Sequence, residues 1–193
     1  MKKLVSLVLA LMLSLSVAYA SDLVVTTGAE QAATLSKHTV PGLYSVSYDA
    51  TAFSLDNQSF LDENNDDYTW LFMLTGDEYE FDADMTKLEG YDGLSLFSAT
   101  DEQKSAYLQD TLDALSDYEA SLATTVEAIA GNVTIPFYVY SCVNDEGPYL
   151  LAETVAQGYA LDFYTYYLDG DRAVDDALQQ SLRDLLLTFE PAQ

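Results

Sequence analysis

Residues 135–168, which read IPFYVYSCVNDEGPYLLAETVAQGYALDFYTYYL, decide the fold of this chain. Three runs rich in tyrosine, valine, leucine and phenylalanine lie at 135–143, 149–155 and 159–168. Short polar stretches with glycine separate them. Apolar runs of this length bounded by turn residues predict strands joined by tight turns. The stretch is therefore predicted to form an antiparallel meander.

The meander is predicted to have two chemically different faces, because successive side chains in a strand point to opposite sides. The odd positions carry Ile135, Phe137, Val139, Val143, Leu161 and Phe163, which we expect to pack against a helix. The even positions include Tyr138, Tyr140, Tyr164 and Tyr166. Tyrosine suits a surface that binds sugars, peptides or another protein. In the other interpretation, the middle helix or the N-terminal segment covers these four rings, which are then ordinary core.

Two helices are predicted around this sheet. Thr100 and Gln103 fit a capping box. Apolar residues then recur every three or four positions, which predicts one long amphipathic helix over 101–130. These residues are Leu108, Leu112, Leu115, Tyr118, Leu122 and Val126. A closing helix is predicted from a second apolar stripe, which consists of Val174, Leu178, Leu182, Leu185 and Phe189.

The first half of the chain contributes further extended segments. Residues 43–48 and 68–74 are predicted strands, 52–56 a short extended piece, and most of 77–97 a loop. The predicted fold class is α+β, in which an antiparallel sheet packs against the long middle helix and the C-terminal helix. A chain of this length is enough for one well-packed core, so these elements predict a single domain over 43–193.

The N-terminus is typical of a cleavable signal peptide over residues 1–20. Lys2 and Lys3 precede an apolar run, and Ala18 and Ala20 provide the small residues that signal peptidase accepts. The run is short for a membrane span, so removal is expected rather than permanent anchoring. Residues 21–42 are predicted to be a loosely ordered segment that leads into the domain. We therefore expect a bacterial protein secreted to the medium or periplasm, with no membrane attachment after cleavage.

The charge of the chain excludes some classes of partner. The formal net charge is −25, and removal of Lys2 and Lys3 would make it −27. Such a charge repels nucleic acid and anionic lipid, and it favours cationic partners or metal ions. A hydrophobic content of 49% argues against a disordered acidic tail.

Motifs for catalysis and metal binding are sparse. His38 and Cys142 are the single histidine and the single cysteine, and they lie far apart in the sequence. This argues against zinc binding and against a histidine-based hydrolase. Cys142 is interpreted as a small buried hydrophobe, with a catalytic thiol or an intermolecular disulfide as the alternatives.

A partial calcium loop is the one metal motif. Asp62, Asn64 and Asp66 match its first three ligand positions, but Asp67 replaces the turn glycine and Met73 replaces the closing glutamate. No cofactor is expected unless calcium binds there. The pattern around Asp169, Asp171 and Asp175 is interpreted as helix capping.

In layout, the chain resembles the PsbP-like α+β fold, which is also seen in many exported bacterial proteins. The residues that carry the resemblance are YSVSYDATAFSLD at 44–56, GYALDFYTYY at 158–167 and LLLTFEP at 185–191. The resemblance implies a non-catalytic accessory or binding domain with an unknown partner outside the cell or in its envelope. The alternative function is a secreted hydrolase that uses paired carboxylates.

Overall fold

In a computed structural model, residues 35–57 and 68–192 form ten strands and two α-helices. The strands are β1 (Ser36–Val40), β2 (Tyr44–Tyr48), β3 (Ser54–Asp56), β4 (Tyr68–Thr75), β5 (Tyr79–Lys87), β6 (Ser121–Ala130), β7 (Val133–Asn144), β8 (Gly147–Ala156), β9 (Tyr159–Tyr167) and β10 (Glu190–Pro191). The helices are α1 (Asp101–Ala114) and α2 (Asp176–Leu186), and a 3₁₀ turn, Ser116–Tyr118, follows α1. The predicted α+β class is confirmed. The predicted signal peptide and the 62–66 loop lie outside the described residues.

The strands form two antiparallel sheets. The larger has the order β3-β4-β5-β9-β8-β7-β6, and the smaller has the order β1-β2-β10. The predicted meander is confirmed as β7, β8 and β9, which pair in sequence through short turns. The last residues of the N-terminal segment, 36–40, are not loosely held but form β1, which pairs with β2.

Two sequence predictions are wrong. Residues 79–87, placed in a loop, form β5 between β4 and β9. The alternation of Phe81, Ala83 and Met85 with Glu80, Asp82 and Asp84 is the period of a strand, although its acidic residues are typical of loops.

The predicted 101–130 helix is the second error. Its start is correct, because Thr100 and Gln103 exchange both capping hydrogen bonds. The helix ends at Ala114, and Glu119 turns the chain with φ of 51°. Residues 121–130 then pair with β7 as β6. The β-branched residues Thr124, Thr125 and Val126 favour this strand, and pairing satisfies the outer backbone groups of β7.

The main core lies between the larger sheet, α2 and the smaller sheet. Phe137 and Phe163 are fully buried, and the rings of Tyr44 and Phe189 stack with centroids 4.8 Å apart. The closing helix is confirmed, with Leu178, Leu182, Leu185 and Leu186 buried and Asp175 as its N-cap. The odd positions of the meander face this core as predicted, except that Val143, at the end of β7, is exposed.

The opposite face of the larger sheet is partly covered by α1. Tyr107 of this helix is 2% exposed and packs with Leu108 and Leu112 over β7 and β8. Neither described helix is long and apolar enough to cross a membrane. The even positions of the meander therefore lie partly beneath α1 and partly beyond it.

Candidate functional site

The face of the larger sheet that α1 partly covers is organised in three rows of directly paired residues. Across strands from β7 to β4, one row is Tyr138, Glu153, Asp162, Asp84 and Trp70. The next is Tyr140, Leu151, Tyr164, Asp82 and Met73, and the third is Cys142, Tyr149, Tyr166, Glu80 and Thr75. In the last two rows, a tyrosine of β9 lies opposite a carboxyl group of β5. This register places tyrosine hydroxyl groups beside carboxyl groups in the candidate site.

The four predicted tyrosines share one face, but they do not share one environment. Tyr138 and Tyr140 are 8% and 0% exposed and belong to the cluster packed under α1. The hypothesis of an exposed binding face is wrong for these two, because α1 covers them as the alternative interpretation expected. Tyr164 and Tyr166 are half-buried and lie beyond the helix.

Tyr164 and Tyr166 line a pocket with a volume of about 580 Å³. Three further tyrosines line it, Tyr118, Tyr149 and Tyr167, together with the side chain of Leu151. The remaining lining residues are Asp82, Leu115, Asn144, Glu146, Gly147, Pro148, Leu168 and Gly170. The pocket lies beside the end of α1, above β8 and β9, and its size is that of pockets that bind small organic ligands.

Three oxygen atoms form a hydrogen-bonded group at the β5 side of the pocket. The Tyr166 hydroxyl lies 2.5 Å from Glu80 Oε1 and 2.8 Å from Asp82 Oδ2. Thr75 Oγ1 also donates to Glu80 Oε2 at 2.7 Å. One tyrosine hydroxyl carries one hydrogen and can donate it to only one carboxylate at a time. The second carboxylate oxygen can lie this close to the hydroxyl oxygen only if another hydrogen, or a positive charge, lies nearby.

The Asp82 carboxyl group is the natural place for that extra proton. Burial raises the pKa of Asp82, and the nearby negative charge of Glu80 raises it further. Hydrogen bonds from Tyr166 and Trp70 oppose this rise in pKa. Asp82 thus binds protons more readily than an ordinary aspartate.

A second set of carboxyl groups lies deeper in the same face. Glu153, Asp162 and Asp84 follow one another across three strands, and each is at most 7% exposed. Burial raises the pKa of Asp162 well above its usual range, and Glu153 and Asp84 contribute to the rise. Burial also raises the pKa of Glu153, although hydrogen bonds from Asp162 and Thr111 oppose it. Asp162 is accordingly the protonated member of the row.

The wall of the pocket opposite α1 is built by a tight hairpin turn. Asn144 Oδ1 accepts hydrogen bonds from the backbone N–H groups of Glu146 and Gly147, at 2.9 and 3.1 Å. Gly147 has φ of +125°, and a β-carbon there would overlap the carbonyl oxygen of Gly170. Only glycine allows this close approach, so the wall is held in a fixed position.

The ring of Tyr167, which belongs to the main core on the other face of the sheet, already contacts a cation of the chain itself. The guanidinium carbon of Arg172 lies 3.6 Å from the centroid of the Tyr167 ring. Glu78 and Asp175 hold the guanidinium group with contacts of 3.1 and 3.2 Å. The arrangement combines a tyrosine face with carboxylates around one positive charge.

The other candidate residues do not join this site. Cys142 is buried, and burial raises the pKa of its thiol, which suits the predicted role as a small hydrophobe. His38 lies on β1 in the smaller sheet and packs edge-on against Phe72, with ring centroids 5.0 Å apart. Asp175 caps α2, as predicted. Asp62, Asn64 and Asp66 lie outside the described residues.

Comparisons with known proteins concern the fold. No protein-family model matches the chain, and no curated protein matches it. Among solved structures, it is similar to cyanobacterial PsbP (CyanoP) from Synechocystis sp. PCC 6803, with 15% identity and a TM-score of 0.47. The match covers 86% of this chain and 96% of that one. It agrees with the PsbP-like resemblance predicted from the sequence, and it concerns the layout of the chain alone.

The sequence pattern identified two of the pocket tyrosines, Tyr164 and Tyr166, but not the residues around them. Tyr149 alternates with Leu150 in β8 and could have been placed on the same face by the period of the strand. Glu80 and Asp82 were missed because β5 was assigned to a loop. Tyr118 was placed on a helix that continues past it, whereas it ends the 3₁₀ turn at the mouth of the pocket.

Proposed function

We propose that the chain is an exported, non-catalytic binding domain whose ligand enters the tyrosine-lined pocket. The observation that carries this proposal is the convergence of four tyrosines, Tyr118, Tyr149, Tyr164 and Tyr166, from the 3₁₀ turn, β8 and β9, around one pocket of about 580 Å³. Tyrosine rings offer broad apolar contact and a polar edge, which is the usual composition of a site for an organic ligand. Export follows from the signal peptide predicted at the N-terminus.

The alternative of a paired-carboxylate hydrolase needs two carboxyl groups that face each other across a cleft. Glu80 and Asp82 project from one strand and share the Tyr166 hydroxyl, so they do not flank a substrate. Glu153 accepts a hydrogen bond from Thr111 of α1 and is buried beneath that helix. These arrangements support binding rather than hydrolysis.

Screening of small compounds by ligand-observed NMR tests the proposal. The compounds would include neutral aromatics, sugars, carboxylates and amines. We expect some of these compounds to bind. Tyr118→Ala should lower their affinity by about two- to tenfold, because one aromatic contact is lost. Tyr118 is 43% exposed, so its removal should leave the fold intact.

Phe97→Ala is the matched control, because Phe97 is 46% exposed and does not line the pocket. It should leave the affinities unchanged. Absence of binding by all four classes of compound would overturn the proposed function, as would equal binding to wild type and Tyr118→Ala.

A further inference from the structure

We propose that the pocket recognises a small organic cation, with its ammonium group held between the tyrosine rings and the Asp82 carboxyl group, and with the charge of Glu80 nearby. This inference rests on the proposed function of the pocket and specifies the class of ligand. It goes beyond a general preference for cations, because it assigns the positive charge to one place and to named partners.

The charge around the pocket favours a cation. Its lining residues include Asp82 and Glu146 and contain no lysine, arginine or histidine. Glu80 lies directly behind Asp82, joined to it through the Tyr166 hydroxyl. The formal net charge of −25 adds a long-range attraction for cations and a repulsion for anions. An anionic ligand would therefore meet negative charge at every distance.

The surroundings of the Tyr166 hydroxyl also favour a positive charge. Two carboxyl groups lie at 2.5 and 2.8 Å from one hydroxyl that has a single hydrogen. A positive charge beside Asp82 is therefore favourable, and burial and the charge of Glu80, which raise the pKa of Asp82, act in the same direction. An ammonium group in the pocket would supply that charge.

Aromatic faces surround the Asp82 carboxyl group. Ammonium groups bind over tyrosine rings through cation–π attraction, and this attraction is strongest in partly desolvated sites. The Tyr167 ring shows the contact within this molecule, since it holds the Arg172 guanidinium at 3.6 Å between two carboxylates. Tyr149, Tyr164 and Tyr166 offer the same combination to a ligand inside the pocket. The pocket volume leaves room for an apolar body attached to the cation.

Choline and its neutral carbon isostere, 3,3-dimethylbutan-1-ol, separate charge from shape. Binding of each would be measured by calorimetry and by ligand-observed NMR, with the full chain at constant ionic strength and pH 7.5. We expect saturable choline binding and at least tenfold weaker binding of the isostere. Equal binding of the two compounds would overturn the inference while leaving a binding pocket in place.

Asp82→Asn removes the carboxylate with little change in shape. We expect this substitution to lower the affinity for choline at least fivefold and to leave the affinity for the isostere unchanged. Glu127→Gln is the control, since it removes the same charge from the exposed surface of β6, away from the pocket. It should change choline affinity less than twofold. An equal loss in both variants would show that net charge alone attracts choline, and this result would overturn the assigned position.

Two further outcomes distinguish the two levels of the proposal. If neutral or anionic compounds bind in a Tyr118-dependent way and choline does not, the cation inference fails and the proposed function stands. If no class of compound binds, the proposed function fails as well. Should Asp82→Asn not fold, the comparison of choline with its isostere on wild-type protein still decides the inference.

Discussion

Replacement of Asp162 by asparagine is expected to stabilise the protein at neutral pH. Asp162 lies between Glu153 and Asp84 in the buried row, is 6% exposed and holds its proton because burial raises its pKa. Asparagine has the same shape, needs no proton and offers two N–H hydrogens where protonated aspartate offers one O–H. The substitution therefore keeps a donor between the two neighbouring carboxyl groups.

The size of the effect follows from the cost of holding the proton. In the unfolded chain, an aspartate loses its proton above a pKa of about 3.9. A group that stays protonated in the folded state lowers the free energy of unfolding by about 1.4 kcal/mol for each pH unit above that value. At pH 7 the upper limit is about 4 kcal/mol, and an imperfect amide geometry would subtract about 1–2 kcal/mol. We expect Asp162→Asn to gain about 2–4 kcal/mol at pH 7.

The sign of the pH dependence provides the sharper test. Between the unfolded and the folded pKa of Asp162, the folded state binds more protons than the unfolded state, so wild-type stability falls as pH rises through that window. The advantage of the variant should therefore shrink as pH falls and vanish near pH 4.

Urea denaturation of both proteins from pH 4 to pH 8 measures this difference. Asp92→Asn is the matched control, because Asp92 is exposed and the substitution makes the same chemical change, from a carboxyl group to an amide. We expect it to shift stability by less than about 0.5 kcal/mol. A destabilised Asp162→Asn at pH 7, or a gain that is the same at every pH, would refute the assignment of the proton to Asp162.

Four other predictions concern the core, the pocket wall, calcium and export. Phe163→Ala should lower the free energy of unfolding by about 3–5 kcal/mol, since the ring is fully buried, and a loss below about 1 kcal/mol in urea denaturation would contradict the packing. Gly147→Ala should cost more than about 2 kcal/mol because its φ is positive and its β-carbon would overlap a backbone carbonyl. Gly131→Ala controls for it, with a positive φ and open space around it, and equal losses would point to backbone strain alone. Calcium should raise the melting temperature no more than sodium at matched ionic strength, and a saturable extra shift lost on Asp66→Ala would show that the 62–66 loop binds it. Intact mass of protein recovered outside the cell should correspond to cleavage after Ala20, whereas an uncleaved mass would contradict the signal peptide.

The parts of the fold that the sequence predicted are those with strong local patterns. Alternation in 135–143 and 159–167 placed the residues of β7 and β9 on their correct faces, because each strand obeys its own period. The Thr100 capping box and the leucine stripe of α2 are likewise local. They depend on residues within a few positions of each other.

The errors have a different physical origin. Leu115, Tyr118, Leu122 and Val126 continue the helical spacing by coincidence. Glu119 ends the 3₁₀ turn that follows the helix in a left-handed conformation, without a glycine to mark the change of direction. Three carboxyl groups on one strand, Glu80, Asp82 and Asp84, are typical of a loop until the partner strand places two tyrosines and Asp162 opposite them. That pairing joins residues about 80 positions apart, such as Asp82 and Tyr164. Local patterns carry no information about such a register, so the pocket could not be predicted.

The position of β6 has a consequence for how copies of the protein behave together. In the part of the chain that the structure describes, β6 is the outermost strand on its side of the larger sheet, and its ten residues contain one charged side chain, Glu127, and no proline or lysine. Such an edge offers free backbone groups to a strand from another molecule. The acidic surface keeps copies apart near neutral pH, but this repulsion disappears close to the isoelectric point of about 4.1 and weakens in concentrated salt. Colloidal stability of the protein is thus set by its charge, and edge-to-edge association should begin where that charge is neutralised.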